Sequence, residues 1–284
     1  MEPSGTLISV EALLPLVEQR EVKVLDASWY LPAERRDSYQ EFLAARIPGS
    51  RFFDIDSIAD PDHPCPHMLP SGAQFAEKVE ALGISSADQV VIYDTKGLFS
   101  APRAWWMFRA FGHAQVRILS GGLPAWQSAG FATEAGNESG SAATSSFVGD
   151  YQPEWVADSQ RVRAAIAGGG VLILDARSAA RFAGEEEEPR PGVRPGHIPG
   201  SQNLHYARLL AEGGRILKPK SELQDLFARV GIDRAQSVVA TCGSGISACI
   251  VALALYELGY APTAVYDGSW AEWGADPSCP IERG

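Results

Sequence analysis

Residues 171–176 are VLILDA, an apolar run that ends in Asp175 and Ala176, and residues 22–27 carry a close copy, VKVLDA. Short apolar runs bounded by polar turns are typical of strands that are buried on both faces of a parallel sheet. The two runs begin 149 residues apart. This pair indicates that the chain contains two copies of one structural unit.

Three further pairs of motifs keep nearly the same separation and the same order. RIPGS at 46–50 corresponds to HIPGS at 197–201, LGI at 82–84 to VGI at 230–232, and SGGLPAW at 120–126 to DGSWAEW at 267–273. Their separations are 151, 148 and 147 residues. So steady an offset indicates a duplication of the whole unit.

Strand and helix patterns alternate within each half and predict an α/β fold. Further apolar runs predict strands at 90–94, 116–121, 238–242 and 263–268, and helical patterns lie at 102–112 and 246–258. We therefore expect two tandem domains, each with a mainly parallel sheet covered by helices on both faces. The expected boundaries are 1–136 for the first domain, 137–152 for a linker rich in Gly, Ser and Ala, and 153–284 for the second domain.

The composition of the 284-residue chain argues against several classes of function. A net charge of −11 and a pI near 5.0 disfavour general binding to nucleic acid or anionic membranes, although a local site can still attract a small anion. Acidic residues near the start and the lack of a long apolar run disfavour a signal peptide or a membrane span. Four cysteines are too few for a disulfide scaffold. We therefore expect a cytoplasmic protein.

The strand predicted at 238–242 leads into a cysteine loop with the sequence CGSGISA at 242–248, and a long apolar helix pattern follows. A glycine-rich turn between a strand and a helix gathers backbone N–H groups around one point, which favours an anion. A cysteine at this point is biased toward the thiolate, the form that attacks. The alternative is a small apolar cysteine that ends a buried strand.

Other positions narrow the chemistry of the cysteine loop. Cysteine phosphatases need an arginine six positions after the cysteine, where this chain has Ala248. At the equivalent place in the first half the strand ends in Asp94, which cannot form a persulfide, so we expect only the second domain to be catalytic. Among the remaining thiols, Cys249 is expected in the core, and Cys65 and Cys279 in accessible irregular segments.

These motifs resemble those of a known family. The loop at 242–248, HIPGS at 197–201, FFDID at 52–56 and DGSWAEW at 267–273 resemble the tandem-rhodanese 3-mercaptopyruvate sulfurtransferases, and the resemblance covers residues 5 to 277. It implies an enzyme that moves sulfur from 3-mercaptopyruvate through a persulfide on Cys242 to a thiol acceptor such as thioredoxin, or to cyanide, and releases pyruvate. It implies no metal and no organic cofactor.

The resemblance also implies a donor site. Thiosulfate-using rhodaneses typically carry a cationic loop suited to a dianion, whereas this chain has Gly243 and Ser244 at those positions. Arg181 and Arg190 match the arginine pair for the donor's carboxylate and keto oxygen, a task that suits the planar guanidinium. The alternative is that both arginines pair with the glutamates at 185–188 on a solvated loop, where ion pairs are weak. The loop residues expected to line the donor site are Gly243, Gly245, Ile246, Ser247 and Ala248.

A proton relay is implied by the same resemblance. Asp56 and His67 of the first half would meet Ser244 and form a relay that moves a proton. Asp54 and His63 are near neighbours of this pair with no implied role.

Other functions stay open on the residues alone. A thiosulfate:cyanide sulfurtransferase is disfavoured by the neutral loop, and a non-catalytic interaction protein is disfavoured by the intact cysteine loop. A carrier module that relays persulfide sulfur to a protein partner is not excluded, although the arginine pair favours a carboxylated donor.

Overall fold

A computed structural model describes residues 5–138, 145–233 and 236–284. Its internal contacts divide the chain into two compact units. The first unit comprises the residues up to 61 together with 70–151 and 212–216, and the second comprises 62–69, 152–211 and 217–284. Residues 139–144 of the expected linker lie outside the described residues.

The described residues of the first unit form a five-stranded parallel sheet with the strand order β1-β5-β4-β2-β3. Its strands are β1 (Leu7–Ile8), β2 (Lys23–Asp26), β3 (Arg51–Phe52), β4 (Val90–Tyr93) and β5 (Val116–Leu119). Its helices are α1 (Val10–Glu18), α2 (Ser38–Ala44), α3 (Ile55–Ile58), α4 (Gly72–Ala81), α5 (Ala101–Ala110) and α6 (Gly122–Ser128).

The second unit repeats this architecture, with a parallel sheet of five described strands in the order β6-β12-β11-β7-β8. Its strands are β6 (Val156–Ala157), β7 (Val171–Asp175), β8 (Gln202–Asn203), β11 (Ser237–Thr241) and β12 (Ala264–Tyr266), while β9 (Leu210–Ala211) and β10 (Ile216–Leu217) form a separate two-stranded sheet. Its helices are α7 (Ser159–Gly168), α8 (Ala179–Ala183), α9 (Lys220–Arg229), α10 (Ala248–Glu257) and α11 (Ser269–Trp273).

The two sheets have the same strand order, which confirms the predicted duplication and the α/β fold class. Each apolar run that predicts a strand does form one, and the helical patterns at 102–112 and 246–258 become α5 and α10, within one or two residues at each end. The two halves therefore share one plan, in which β4 and β11 occupy equivalent central places.

Burial follows the apolar patterns of these elements. All of β4 is buried, and so are the first eight residues of α10, a helix that is apolar on every side. Packing of this kind fixes the ends of the strands, and with them the loops that follow. No helix in the described part of the chain is long and apolar enough to cross a membrane.

Candidate functional site

The cysteine loop leaves the carboxyl end of a central strand. Cys242 follows β11 directly and is 2% exposed. The neighbouring strand β7 pairs in parallel with β11, with Asp175 opposite Thr241. The segments after the two strands therefore leave the same edge of the sheet, which is where open α/β sheets usually carry their sites.

The start of α11 holds the cysteine loop by backbone hydrogen bonds. The N–H of Trp270 donates to the carbonyl of Cys242 at 3.0 Å, and the N–H of Ala271 donates to that of Gly243 at 2.9 Å. The Cys242 N–H in turn donates to Ser269 Oγ at 3.2 Å. Ser269 has a φ of 49°, a strained left-handed conformation for a serine. The repeated motif at 267–273 thus supports the loop, a role that sequence reasoning missed for Ser269.

The equivalent loop of the first unit shows where its backbone N–H groups point. Asp94 is buried, and its Oδ2 accepts hydrogen bonds from the amides of Phe99, Ser100 and Ala101 at 2.7, 2.9 and 2.9 Å. Its Oδ1 accepts from the Lys96 amide at 2.9 Å. The loop therefore closes around its own carboxylate, which satisfies the anion-binding amides from within.

This arrangement has a chemical parallel in the second unit. The three amides that hold Asp94 Oδ2 lie five to seven positions beyond it, and the residues at the same spacing beyond Cys242 are Ser247, Ala248 and Cys249. A cysteine persulfide places its outer sulfur the same number of bonds from Cα as aspartate places its carboxylate oxygen. From this spacing we expect the amides of Ser247 and Ala248 to suit an anionic atom at the position of an outer sulfur.

Arg181 lies against the cysteine loop. It is part of the one-turn helix α8, in which Ser178 Oγ accepts the Arg181 N–H at 3.3 Å and Gly184 ends the turn with a φ of 76°. A Cβ placed on Gly243 would lie 3.2 Å from Arg181 Nη2 and 3.7 Å from Nη1. The glycine therefore leaves the room that the guanidinium occupies.

Arg181 is held by a buried glutamate. Glu188 Oε2 accepts from Arg181 Nη2, and its Oε1 accepts from Arg177 Nη1 at 2.8 Å. The Glu188 side chain is 3% exposed, whereas 185–187 are exposed. Arg181 thus does form an ion pair with the acidic run, as the alternative expects. The glutamate that it binds is buried, however, and not solvated. Sequence reasoning missed Glu188 because nothing in four consecutive glutamates marks one as buried.

Arg190 belongs to the same electrostatic environment. The side chain is half-buried, and this burial lowers the pKa of Arg190. A thiolate at Cys242 and the carboxylate of Glu188 act in the opposite direction, while Arg181 lowers the pKa further. The structure therefore places both predicted arginines within electrostatic range of each other and Arg190 within range of the cysteine.

His67 contacts the cysteine loop through the backbone. It is buried, has a φ of 63°, and its Nδ1 lies 3.2 Å from the carbonyl oxygen of Ser244. Two residues further on, the Leu69 N–H donates to Asp267 Oδ2 at 2.6 Å, just before α11. Although residues 62–69 come from the first half of the sequence, their contacts make them part of the second unit.

Asp56 lies in the first unit, near the start of α3. Its carboxylate accepts from Trp29 Nε1 at 3.2 and 3.1 Å. Asp54 caps α3 by accepting the amides of Asp56 and Ser57, and His63 Nδ1 accepts the Cys65 amide at 3.1 Å. The two near neighbours of the predicted relay residues therefore have local structural roles.

The other thiols differ in their surroundings. Cys249 is fully buried and its Sγ donates to the Gly245 carbonyl, as expected of a core residue. The expectation for Cys279 is wrong, since it is 3% exposed. Arg194 binds several carbonyls of the segment around Cys279 and folds it onto the core, and burial raises the pKa of the Cys279 thiol to about 11.

Comparison with known proteins shows the family of the chain. The family model of the rhodanese-like domain matches residues 9–129 and 158–276. Over 98% of its length the chain is 40% identical to thiosulfate/3-mercaptopyruvate sulfurtransferase 1, mitochondrial, of Arabidopsis thaliana, and it covers 78% of that protein. It is 42% identical to the 3-mercaptopyruvate sulfurtransferase of Rattus norvegicus, over 96% of this chain and 93% of the relative.

A solved structure shows the same similarity. The crystal structure of SseA from Escherichia coli, a 3-mercaptopyruvate sulfotransferase, matches with a TM-score of 0.85 at 36% identity. The match covers 94% of this chain and 99% of that one.

Proposed function

The chain belongs to the rhodanese-like family and is a sulfurtransferase, and on this basis we propose that it takes sulfur from 3-mercaptopyruvate. The sulfur passes through a persulfide on Cys242 to a thiol acceptor or cyanide, and pyruvate is released. The choice of donor rests on one observation: the guanidinium of Arg181 occupies the space beside Gly243 that a side chain would fill. A cation placed there suits the carboxylate of a small donor.

The first half of the reaction forms the persulfide. The carboxylate and keto oxygen of 3-mercaptopyruvate bind to Arg181 and Arg190, and the Cys242 thiolate attacks the sulfur of the donor. A sulfur–sulfur bond forms, the carbon–sulfur bond breaks, and its electron pair passes to the carbon as the enolate of pyruvate. The amides of the loop residues Ser247 and Ala248 are suited to the anionic outer sulfur by analogy with the loop around Asp94.

Protonation of the enolate completes the release of pyruvate. The donor's thiol supplies this proton, which leaves the outer sulfur anionic, and we assign its transfer to a relay of Ser244, His67 and Asp56, supported by the contact between His67 and the Ser244 backbone. In the second half of the reaction an acceptor thiolate, such as that of reduced thioredoxin, attacks the outer sulfur and regenerates the Cys242 thiolate.

The domain assignment follows from the two loops. We propose that residues 1–136 are a non-catalytic rhodanese-like domain, that 137–152 link the domains, and that 153–284 carry the catalytic cysteine. Asp94 fills its own loop with a carboxylate, which leaves no nucleophilic sulfur there. A cytoplasmic location belongs to the same proposal, and the four free cysteines fit a reducing compartment.

Thiosulfate is the second candidate donor. The Arabidopsis thaliana relative carries both thiosulfate and 3-mercaptopyruvate in its name. Thiosulfate is a dianion, however, and the loop residues Gly243 and Ser244 offer it no side-chain cation. We therefore expect thiosulfate to be the poorer donor.

Steady-state kinetics with both donors tests the proposal. With purified protein and one acceptor, kcat/KM for 3-mercaptopyruvate should exceed that for thiosulfate by at least about tenfold, a difference of about 1.4 kcal/mol in transition-state binding. A preference for thiosulfate would leave the persulfide chemistry intact and overturn the assignment of the donor.

A further inference from the structure

Four charged side chains beside the cysteine loop form a continuous network that the proposed reaction does not explain. Arg177 donates to Asp175 through Nη2 at 2.7 Å and through Nε at 3.1 Å, and to Glu188 through Nη1 at 2.8 Å. Glu188 also accepts from Arg181. The side chains of Asp175, Arg177 and Glu188 are 1–3% exposed, and that of Arg181 is 24% exposed. Buried charges require partners of opposite sign, which this network provides.

The charges within this network cancel. It contains two carboxylates and two guanidiniums, so Arg181 faces the donor with its charge already balanced by Glu188. Arg190 makes no ion pair with the residues that the structure describes. Asp267, another buried acid near the loop, accepts the Leu69 N–H. Among Asp175, Glu188, Arg177, Arg181 and Arg190, the arginines thus carry one positive charge more than the carboxylates.

Glu188 also sets the orientation of Arg181. It accepts from Nη2 and, at 3.4 Å, from Nε, which are on one edge of the guanidinium. Nη1 and the second N–H of Nη2 remain on the side next to Gly243. The carboxylate thus holds one edge of the guanidinium and turns the other toward the loop that carries Cys242.

From these contacts we propose that Glu188 is a positioning and specificity-determining residue, which orients Arg181 and limits the site to about the charge that a monoanionic donor requires. A carboxylate donor such as 3-mercaptopyruvate carries one negative charge, and a dianion such as thiosulfate would leave one charge uncompensated. This inference rests on the proposed function. Selectivity between two anions then depends on a residue that touches neither of them.

The substitution Glu188→Gln tests this inference because it keeps the size of the side chain and removes one negative charge. We expect kcat/KM for 3-mercaptopyruvate to fall, mainly through KM, as Arg181 loses its orientation. We expect kcat/KM for thiosulfate to rise, because the site gains one positive charge. The ratio of the two values should fall by roughly tenfold or more.

Glu187→Gln is the matched control. It changes the same charge one residue away on the exposed side of the segment, where solvent screens it, and should leave the donor ratio within about twofold of the wild type. Equal losses for both donors in Glu188→Gln, no change in either, or the same shift in Glu187→Gln would overturn the inference.

Glu188→Asp keeps the test decisive if Glu188→Gln does not fold. The shorter side chain retains the charge and cannot reach both arginines, so the KM for 3-mercaptopyruvate should rise while the donor ratio stays near that of the wild type. A shifted ratio in this variant would contradict the charge argument. A wild-type protein that does not use 3-mercaptopyruvate would overturn the proposed function itself. A wild-type preference for 3-mercaptopyruvate with an unchanged donor ratio in folded Glu188→Gln would overturn only the role of Glu188.

Discussion

Gly243 matters because it has no side chain. Arg181 Nη2 lies 3.2 Å from the place where a Cβ would stand, which is closer than ordinary van der Waals contact. The backbone of Gly243 is not in the left-handed region, so alanine meets no conformational barrier there. An alanine would therefore act almost entirely through its contact with the guanidinium.

For Gly243→Ala we expect the KM for 3-mercaptopyruvate to rise by about tenfold, since a charge-assisted hydrogen bond contributes roughly 1.5–3 kcal/mol and would be only partly lost. Steady-state kinetics checks this. The same substitution in an Arg181→Ala background should have little further effect, because the two residues act through one contact. Equal effects in both backgrounds would show that Gly243 acts independently of Arg181.

At the scale of the elements, the equivalent strands β2 and β7 end in aspartates with different partners. Asp175 is paired with Arg177, which lies two residues later. In the first unit Ser28 takes the place of that arginine, and it donates its amide to Asp26 at 2.9 Å. Burial raises the pKa of Asp26 to about 7, and Asp94 adds to this shift, while hydrogen bonds from Ser28 and Tyr93 oppose it. The first unit thus contains an acid that is half-protonated near neutral pH.

The pKa of Asp26 predicts how stability depends on pH. Because it is raised above the value of about 4 in an unfolded chain, the contribution of Asp26 is fully present below about pH 4 and is lost as the pH rises toward 7, at up to about 1.4 kcal/mol per pH unit. Asp26→Asn removes this dependence. Relative to the wild type, the variant should gain free energy of unfolding between pH 5 and pH 8 in urea titrations.

Asp175→Asn provides the comparison for Asp26. It removes a negative charge that balances the buried Arg177, and it should therefore lower the free energy of unfolding at pH 5 and at pH 8 alike. An effect of Asp26→Asn that is the same at pH 5 and pH 8 would contradict the raised pKa of Asp26.

Most of the fold could be predicted from the sequence, because buried parallel strands leave continuous apolar runs and the duplication repeats them. The position of Cys242 at the end of β11 follows from the same pattern. Glu188 could not be predicted, since its burial depends on Arg177, and only the folded chain brings the two together. The contact of His67 with the backbone of Ser244, rather than its hydroxyl, is a detail of loop conformation that no spacing encodes.

At the scale of the whole molecule, the two units differ in what fills their loops. The loop of the first unit binds its own aspartate, and that of the second carries a cysteine. The unit that carries Cys242 is also not continuous in sequence, because residues 62–69 contribute contacts to it from within the first half. A strict division of the repeat into two halves therefore separates His67 from the unit that carries Cys242.

Mass spectrometry shows whether the transferred sulfur passes through Cys242. The whole protein is treated with one equivalent of 3-mercaptopyruvate in the absence of an acceptor, and the pyruvate released is measured. We predict a gain of one sulfur atom on the peptide that contains Cys242, matched by one equivalent of pyruvate, and no gain in Cys242→Ser. Sulfur found instead on Cys65, Cys249 or Cys279, or pyruvate released without any sulfur on the protein, would contradict the account.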